Sequence, residues 1–346
     1  MQTFLDRLDS EARNLLMAVA RPITHAQGER LIRYGDPSRG AYLLKDGSCE
    51  ATVLLPGGEK LTVAKLEAGG VFGEMALVER GTCTATVTAT TKLNGWFIER
   101  DDFRSLVAQR VPAALRVQHA LTLALSDKLR QLNARVLEVP AAQDQPKPGS
   151  APESDPLAKV ERLKQASFDV RPYLAYLSIF EGFDTGEIDE ILAAGSLLEL
   201  PRGHAVFFHG HASSAVYIVI RGAVEIRARH ASRERRMAVL GPGQILGYMS
   251  ALEKGAHGSD AVVCEEAVLL EIPGKDFEKI YFGSGPASTK LRRAIQGTLL
   301  ASLGQTNRHL IRLISLARLR SAGEESEALE RVLASQIVWT LDERAA

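Results

Sequence analysis

Cysteine is scarce: Cys49, Cys83 and Cys264 are the only three in 346 residues, odd in number and far apart. They offer neither a disulfide framework nor a CxxC metal or redox pair, and read as free thiols in a reducing compartment. An excess of either charge is also missing. Forty-two Lys plus Arg balance forty-two Asp plus Glu to a formal net charge of zero. That excludes a strongly basic domain that coats nucleic acid by charge alone. No stretch approaches the ~18 apolar residues of a membrane span, and Asp6 and Asp9 interrupt the place where a signal peptide needs an apolar run. The expectation is a soluble, cytoplasmic chain. With 45% hydrophobic and 24% charged residues, wholesale disorder is excluded, and the length suits two domains.

Five of the fourteen prolines fall between Pro140 and Pro156. That segment has no apolar periodicity and predicts an extended, solvated linker. Asp155 and Pro156 then form a cap and first turn before Leu157, Val160 and Leu163, whose spacing predicts a short helix. On either side lies a divergent duplication. Gly28, Gly35, Tyr42, Gly47 and Glu50 match Gly203, Gly210, Tyr217, Gly222 and Glu225 at a constant offset of 175. After one deletion the offset is 174, and Leu66, Gly69, Gly73, Met75, Glu79, Ile98, Asp102 and Phe103 match Leu240, Gly243, Gly247, Met249, Glu253, Ile272, Asp276 and Phe277.

Each copy opens with a short helix (11–20; 186–194) and continues as short alternating strands punctuated by glycine turns. The pattern predicts a mainly β fold with α: two β-roll or jelly-roll barrels. A short helix and then a long one end each copy (112–136; about 287–319). The expected domains are 1–137, a linker with a short helix at 138–165, a second barrel with its long helix at 166–320, and an amphipathic tail helix at 321–346. In the first long helix Leu121, Leu125, Leu129, Leu132 and Val136 recur every three or four residues. This stripe suits a homodimer seam or packing against the chain's own barrel.

The sequence Val71-Phe72-Gly73-Glu74-Met75-Ala76-Leu77, between strands and followed by a long helix, resembles the phosphate-binding cassette of cyclic nucleotide-binding domains. The similarity covers about 5–137 and 172–319. Paired copies are similar to the regulatory subunit of the cAMP-dependent kinase; a single copy before a long helix is similar to the catabolite activator family. The resemblance implies a Glu after Phe-Gly for the ribose 2′-hydroxyl and an Arg nine residues later for the cyclic phosphate. A guanidinium and helix N-terminal amides suit that anion. Here Glu74 is present, but Cys83 stands at the Arg position. In the second copy, Gly247-Tyr248-Met249-Ser250, Tyr248 replaces the Glu and His257 the Arg.

The candidate site of the first copy is therefore Phe72, Gly73, Glu74, Met75, Ala76, Cys83 and Thr84, with amides around 74–76 and the hydroxyls of Thr82 or Thr84 facing the anion. Arg80 is a possible compensating cation. Lacking both residues, the second cassette reads as degenerate, closed by Tyr248 or used otherwise. His204, His209 and His211 cluster around Gly210, but no further ligand accompanies them, so no metal is expected. Nothing resembles a nucleophile elbow, Walker loop or zinc-hydrolase helix, so no enzyme is expected. Only 27 residues follow Leu319, with spacing for one amphipathic helix rather than a helix-turn-helix, and DNA binding is not expected. The basic run 229–239 reads as a solvated hairpin or partner contact. The expectation is a non-enzymatic regulator acting through self-association or an unidentified protein partner. Its possible ligand is cAMP, cGMP or cyclic di-GMP; the alternatives are a ligand-free adaptor or a receptor for a different nucleotide.

Overall fold

Asp9 starts the first helix by accepting the Ala12 N–H at 2.8 Å. The computed structural model describes residues 4–54, 58, 60–139, 145–146, 154–163, 167, 169–230 and 233–322. The first copy runs α1 (Ser10–Val19), β1 (Ala20–His25), β2 (Arg30–Ile32), β3 (Gly40–Asp46), β4 (Cys49–Leu54), β5 (Lys60–Leu66), β6 (Val71–Phe72), α2 (Met75–Val78), β7 (Thr86–Ala89), β8 (Leu93–Glu99), α3 (Arg100–Ala108) and α4 (Pro112–Glu138). Two antiparallel four-stranded sheets form, in the orders β1-β8-β3-β6 and β2-β7-β4-β5. Leu44, Cys49, Phe72, Val87 and Leu93, drawn from both sheets, fill the interior. Leu43 and Ile98 face the other way, toward Leu16, Phe103, Val117 and Leu121 of the helices.

After β9 (Gln145–Pro146) and α5 (Arg171–Leu174), the second copy runs α6 (Thr185–Ala193), β10 (Ser196–Leu200), β11 (Ala205–Phe207), β12 (Ala215–His230), β13 (Arg233–Leu240), β14 (Ile245–Leu246), α7 (Tyr248–Glu253), β15 (Asp260–Pro273), α8 (Gly274–Phe282) and α9 (Pro286–Ala322). Its strands β12 and β15 are continuous where the first copy has the pairs β3–β4 and β7–β8, at the same offsets of 175 and 174. The matched glycines 28/203, 35/210, 47/222, 69/243 and 73/247 all have positive φ, between 70° and 87°. The duplication is therefore one of backbone conformation as well as of residues. The fold is the expected pair of β-roll domains with long C-terminal helices. Two compact units result: one runs to Ala124 and resumes at Gly304, and the other is Leu125–Leu303.

Several expectations change. The linker is not wholly solvated coil, because Gln145 and Pro146 pair with Glu234 and Arg233 as an edge strand. Residues 156–159 are turns, not the first part of a helix. Leu157 is buried in the second core, and the Arg162 guanidinium donates to the Leu157 and Val160 carbonyls at 2.8 and 2.9 Å. The basic run is not a solvated loop: Arg229 pairs with Asp260 and Arg235 is 1% exposed. The tail helix at 321–346 lies outside the described residues beyond Ala322.

The α4 stripe is also corrected. Leu121, Leu125 and Val136 are fully buried within one chain, Leu129 is 6% exposed and Leu132 half-buried. Side chains that have already left water give a second copy little apolar surface to cover. Leu129→Asp is expected to destabilise the chain by about 3–5 kcal/mol rather than to split a dimer, since it buries an unpaired charge. The measurement is the urea midpoint, with the native molar mass followed by light scattering. A halved mass at an unchanged midpoint would restore the stripe as an intermolecular seam.

Candidate functional site

Each barrel carries a tight strand–glycine–helix corner. In the first, β6 ends at Phe72, Gly73 turns with φ 70° and α2 follows. A Cβ at position 73 would come within 2.7 Å of the Gly40 carbonyl, so both conformation and space require glycine. Phe72 stacks on Tyr42, with ring centroids 4.9 Å apart and planes at 4°. The Tyr42 hydroxyl donates to the Leu31 carbonyl at 3.2 Å. Glu74 is 3% exposed, Ala76 is buried and Met75 is half-buried. The Ala76 N–H donates to the Gly73 carbonyl and the Leu77 N–H to the Glu74 carbonyl, both at 3.0 Å. The Ala76 amide expected to face an anion is thus already engaged in closing the turn.

Cys83 is fixed by backbone. The Gly35 N–H donates to its carbonyl at 2.9 Å, and its own N–H donates to the Asp36 carbonyl at 2.8 Å. The same pair recurs in the second copy, from Gly210 N–H to the His257 carbonyl at 2.9 Å and from His257 N–H to the His211 carbonyl at 2.8 Å. Cys83 and His257 are therefore structural equivalents. Burial, reinforced by the Asp36 charge, pushes the Cys83 thiol pKa up, so the thiol stays neutral at pH 7. Thr82 and Thr84 are exposed. The Arg80 side chain is 74% exposed and lies 3.8 Å from Asp101 on α3, in a surface ion pair. The charge of the exposed Arg39 partly offsets the upward push of burial on Tyr42.

In the second barrel, Gly247 turns with φ 79° into α7. Tyr248 and Ser250 are buried, Met249 is half-buried, and burial pushes the Tyr248 pKa up. His257 is 4% exposed and lies face to face on Phe207, with centroids 3.8 Å apart and planes at 8°. Burial first, then the charges of His211 and Arg130, bring the His257 pKa down to about 4. The imidazole is neutral at pH 7. His204 Nε2 lies 3.1 Å from the Pro156 carbonyl, and His211 meets Phe208 edge to face at 5.5 Å. No group of three potential metal ligands occurs among the described residues.

Four residues near the second corner were not visible in the sequence. Phe207 supplies the stacking face. Asp260 accepts the His209 N–H at 2.7 Å and pairs with Arg229. Arg130, from α4, donates through Nη2 and Nε to Glu253 of α7 at 2.6 and 3.3 Å. Arg130 and Glu253 are 123 residues apart, and no local pattern signals such a pair.

The depressed His257 pKa sets a pH dependence. An unfolded His titrates near ~6.5 and the folded one at about 4, so between these values only the unfolded chain binds the proton. The stability gained by burying the neutral ring is complete above ~6.5 and is lost as pH falls toward 4, on the order of 3 kcal/mol in all. His257→Phe keeps a ring against Phe207 but cannot titrate. It is expected to flatten the stability curve from pH 6.5 to 4.5 in urea unfolding. His119, also brought down to about 4 by burial, supplies a remaining slope. An unchanged slope in His257→Phe would move the proton-linked loss to another group.

Comparison with known proteins fits this geometry. The cyclic nucleotide-binding domain family matches residues 22–110 and 197–283, more than half of the chain. The cyclic AMP receptor protein of Thermus thermophilus is 33% identical over 100 residues, 29% of this chain and 46% of that protein. The CRP-like cAMP-activated global transcriptional regulator of Mycobacterium tuberculosis is 28% identical over 142 residues, 41% of this chain and 62% of that protein. The matches thus span less than two-thirds of these relatives' own lengths. The cAMP-bound regulatory domain of Toxoplasma gondii PKA aligns over 80% of this chain and 86% of that one, at 16% identity and a TM-score of 0.30. Two matched segments fall on two barrels with equivalent glycine corners, and the chain belongs to the cyclic nucleotide-binding domain family, of which it carries two copies.

Proposed function

We propose that the chain is a non-enzymatic signalling regulator whose first cassette holds a cyclic mononucleotide weakly and whose second cassette is closed. The observation that carries this is the contrast between the corners. The first keeps a buried Glu74 beside Phe72 and Gly73. In the second, Tyr248, His257 and Phe207 are buried rings. Glu74 would accept a ribose hydroxyl. The cyclic phosphate would rest on neutral donors, because Cys83 is uncharged and Arg80 is engaged at the surface. Neutral hydrogen bonds are roughly half as strong as charge-assisted ones, hence the weak affinity.

Filling the cassette would shift the helices that follow the barrel, and output would pass to a protein partner or second copy through a surface other than the buried α4 stripe. No helix among the described residues is long and apolar enough to cross a membrane.

Calorimetry of the full chain with cAMP, cGMP and cyclic di-GMP tests the reading. Weak binding of a cyclic mononucleotide is expected, lost in Glu74→Ala. Cys83→Arg is expected to tighten it by on the order of tenfold to a hundredfold, since a charge-assisted contact contributes about 1.5–3 kcal/mol. Binding that survives Glu74→Ala unchanged would place the ligand outside the first cassette. No binding by either the unchanged chain or Cys83→Arg would leave the adaptor reading.

A further inference from the structure

From Leu125 onward, α4 belongs to the same compact unit as the second barrel, and two guanidinium groups tie it there. Arg130 reaches from α4 to the last residue of α7, its fork meeting both Glu253 oxygens at 2.6 and 3.3 Å. Its Nη1 lies directly against Gly258, where any Cβ would collide with it. Gly258 adjoins His257, at the position where the cassette has lost its own Arg. In the other direction, Arg235 of β13 donates to the Val136 and Val139 carbonyls at 2.6 and 2.7 Å. The last carbonyls of a helix have no partner of their own, and a cation there complements the helix dipole. Arg235 is also 1% exposed, so its charge depends on such acceptors.

We propose that the second domain acts as a clamp on α4, with Glu253 and Gly258 seating Arg130 against its cassette and Arg235 holding the helix end. Arg130 then stands beside the position where the second cassette lacks the family Arg, its charge already paired with Glu253 of the same unit. Only the signalling consequence rests on the function proposed above; the clamp is measurable with no nucleotide present.

Hydrogen exchange of the full chain, read on peptides covering 128–139, tests it. Gly258→Ala displaces Arg130 without altering any charge, Glu253→Gln weakens its acceptor, and Arg130→Met removes the fork. Arg130→Met and Glu253→Gln are each expected to lower protection of these amides at least tenfold, and Gly258→Ala, which shifts only the flexible tip of Arg130, to lower it less, while β12 and β15 keep theirs. The pair Arg130→Met with Glu253→Gln should be no worse than the stronger single change, because both cut one interaction. Arg235→Met is the more severe variant, and where it fails to fold the other three still decide the matter. Unchanged protection at 128–139 in all three would overturn the clamp, as would a loss spread evenly over the second barrel. If 0.1 M inorganic phosphate relieves α4 protection in the unchanged chain as fully as Arg130→Met does, Arg130 is an anion receptor rather than a clamp.

Discussion

Burial governs charge at the two cassette corners, and much of the rest follows from that. The backbone frame is retained in both copies, down to the paired bonds of Gly35 with Cys83 and Gly210 with His257. What has changed is the side chain in that frame. A thiol held neutral stands in one and an imidazole held neutral in the other. An anion entering either corner meets dipoles but no fixed opposite charge from that position, and so forgoes an attraction of a few kcal/mol at contact distance. His257 adds a second constraint, since its stack on Phe207 is made by an uncharged ring in a site that excludes water.

The ionic groups of the second unit have been turned to internal use. Arg229 stands between Asp260 and Glu234, and Arg227 between Glu225 and Glu234. Arg162 grips Glu271 through two nitrogens at 2.9 and 3.2 Å. A largely buried guanidinium is costly unless its donors are matched, and its flat fork suits it to such matching. These arginines join strand to strand and the linker region to β15. Only the first copy keeps a buried acid in the turn where the family places its ribose acceptor.

Much of this was legible in the sequence because backbone geometry wrote it there. Glycines at fixed offsets mark positive-φ turns, and turns are local, so the duplication and the barrels could be read directly. The equivalence of Cys83 and His257 followed from the same spacing. Features set by distant partners were not legible. Leu157, Val160 and Leu163 have helical spacing, yet Arg162 takes the carbonyls of Leu157 and Val160 and the barrel buries Leu157. The stripe on α4 announced a buried face without saying what buries it. Arg235 lay inside a run of charges, where composition suggests solvent; strand register and the helix end it meets, about a hundred residues away, put it in the interior.

These observations give α4 two halves of different character. Its first half meets the first barrel through Val117, Ala120 and Leu121, packed with Leu43, Ile98 and Phe103. Such apolar contacts have no directional preference and tolerate small slides. Its second half adds to its own buried Leu125, Leu129 and Val136 the charge-assisted bonds of Arg130 and Arg235, which weaken steeply when donor and acceptor are misaligned. Both characters therefore sit on one continuous helix of 27 residues, about 40 Å long, and the directional restraint lies in its second half.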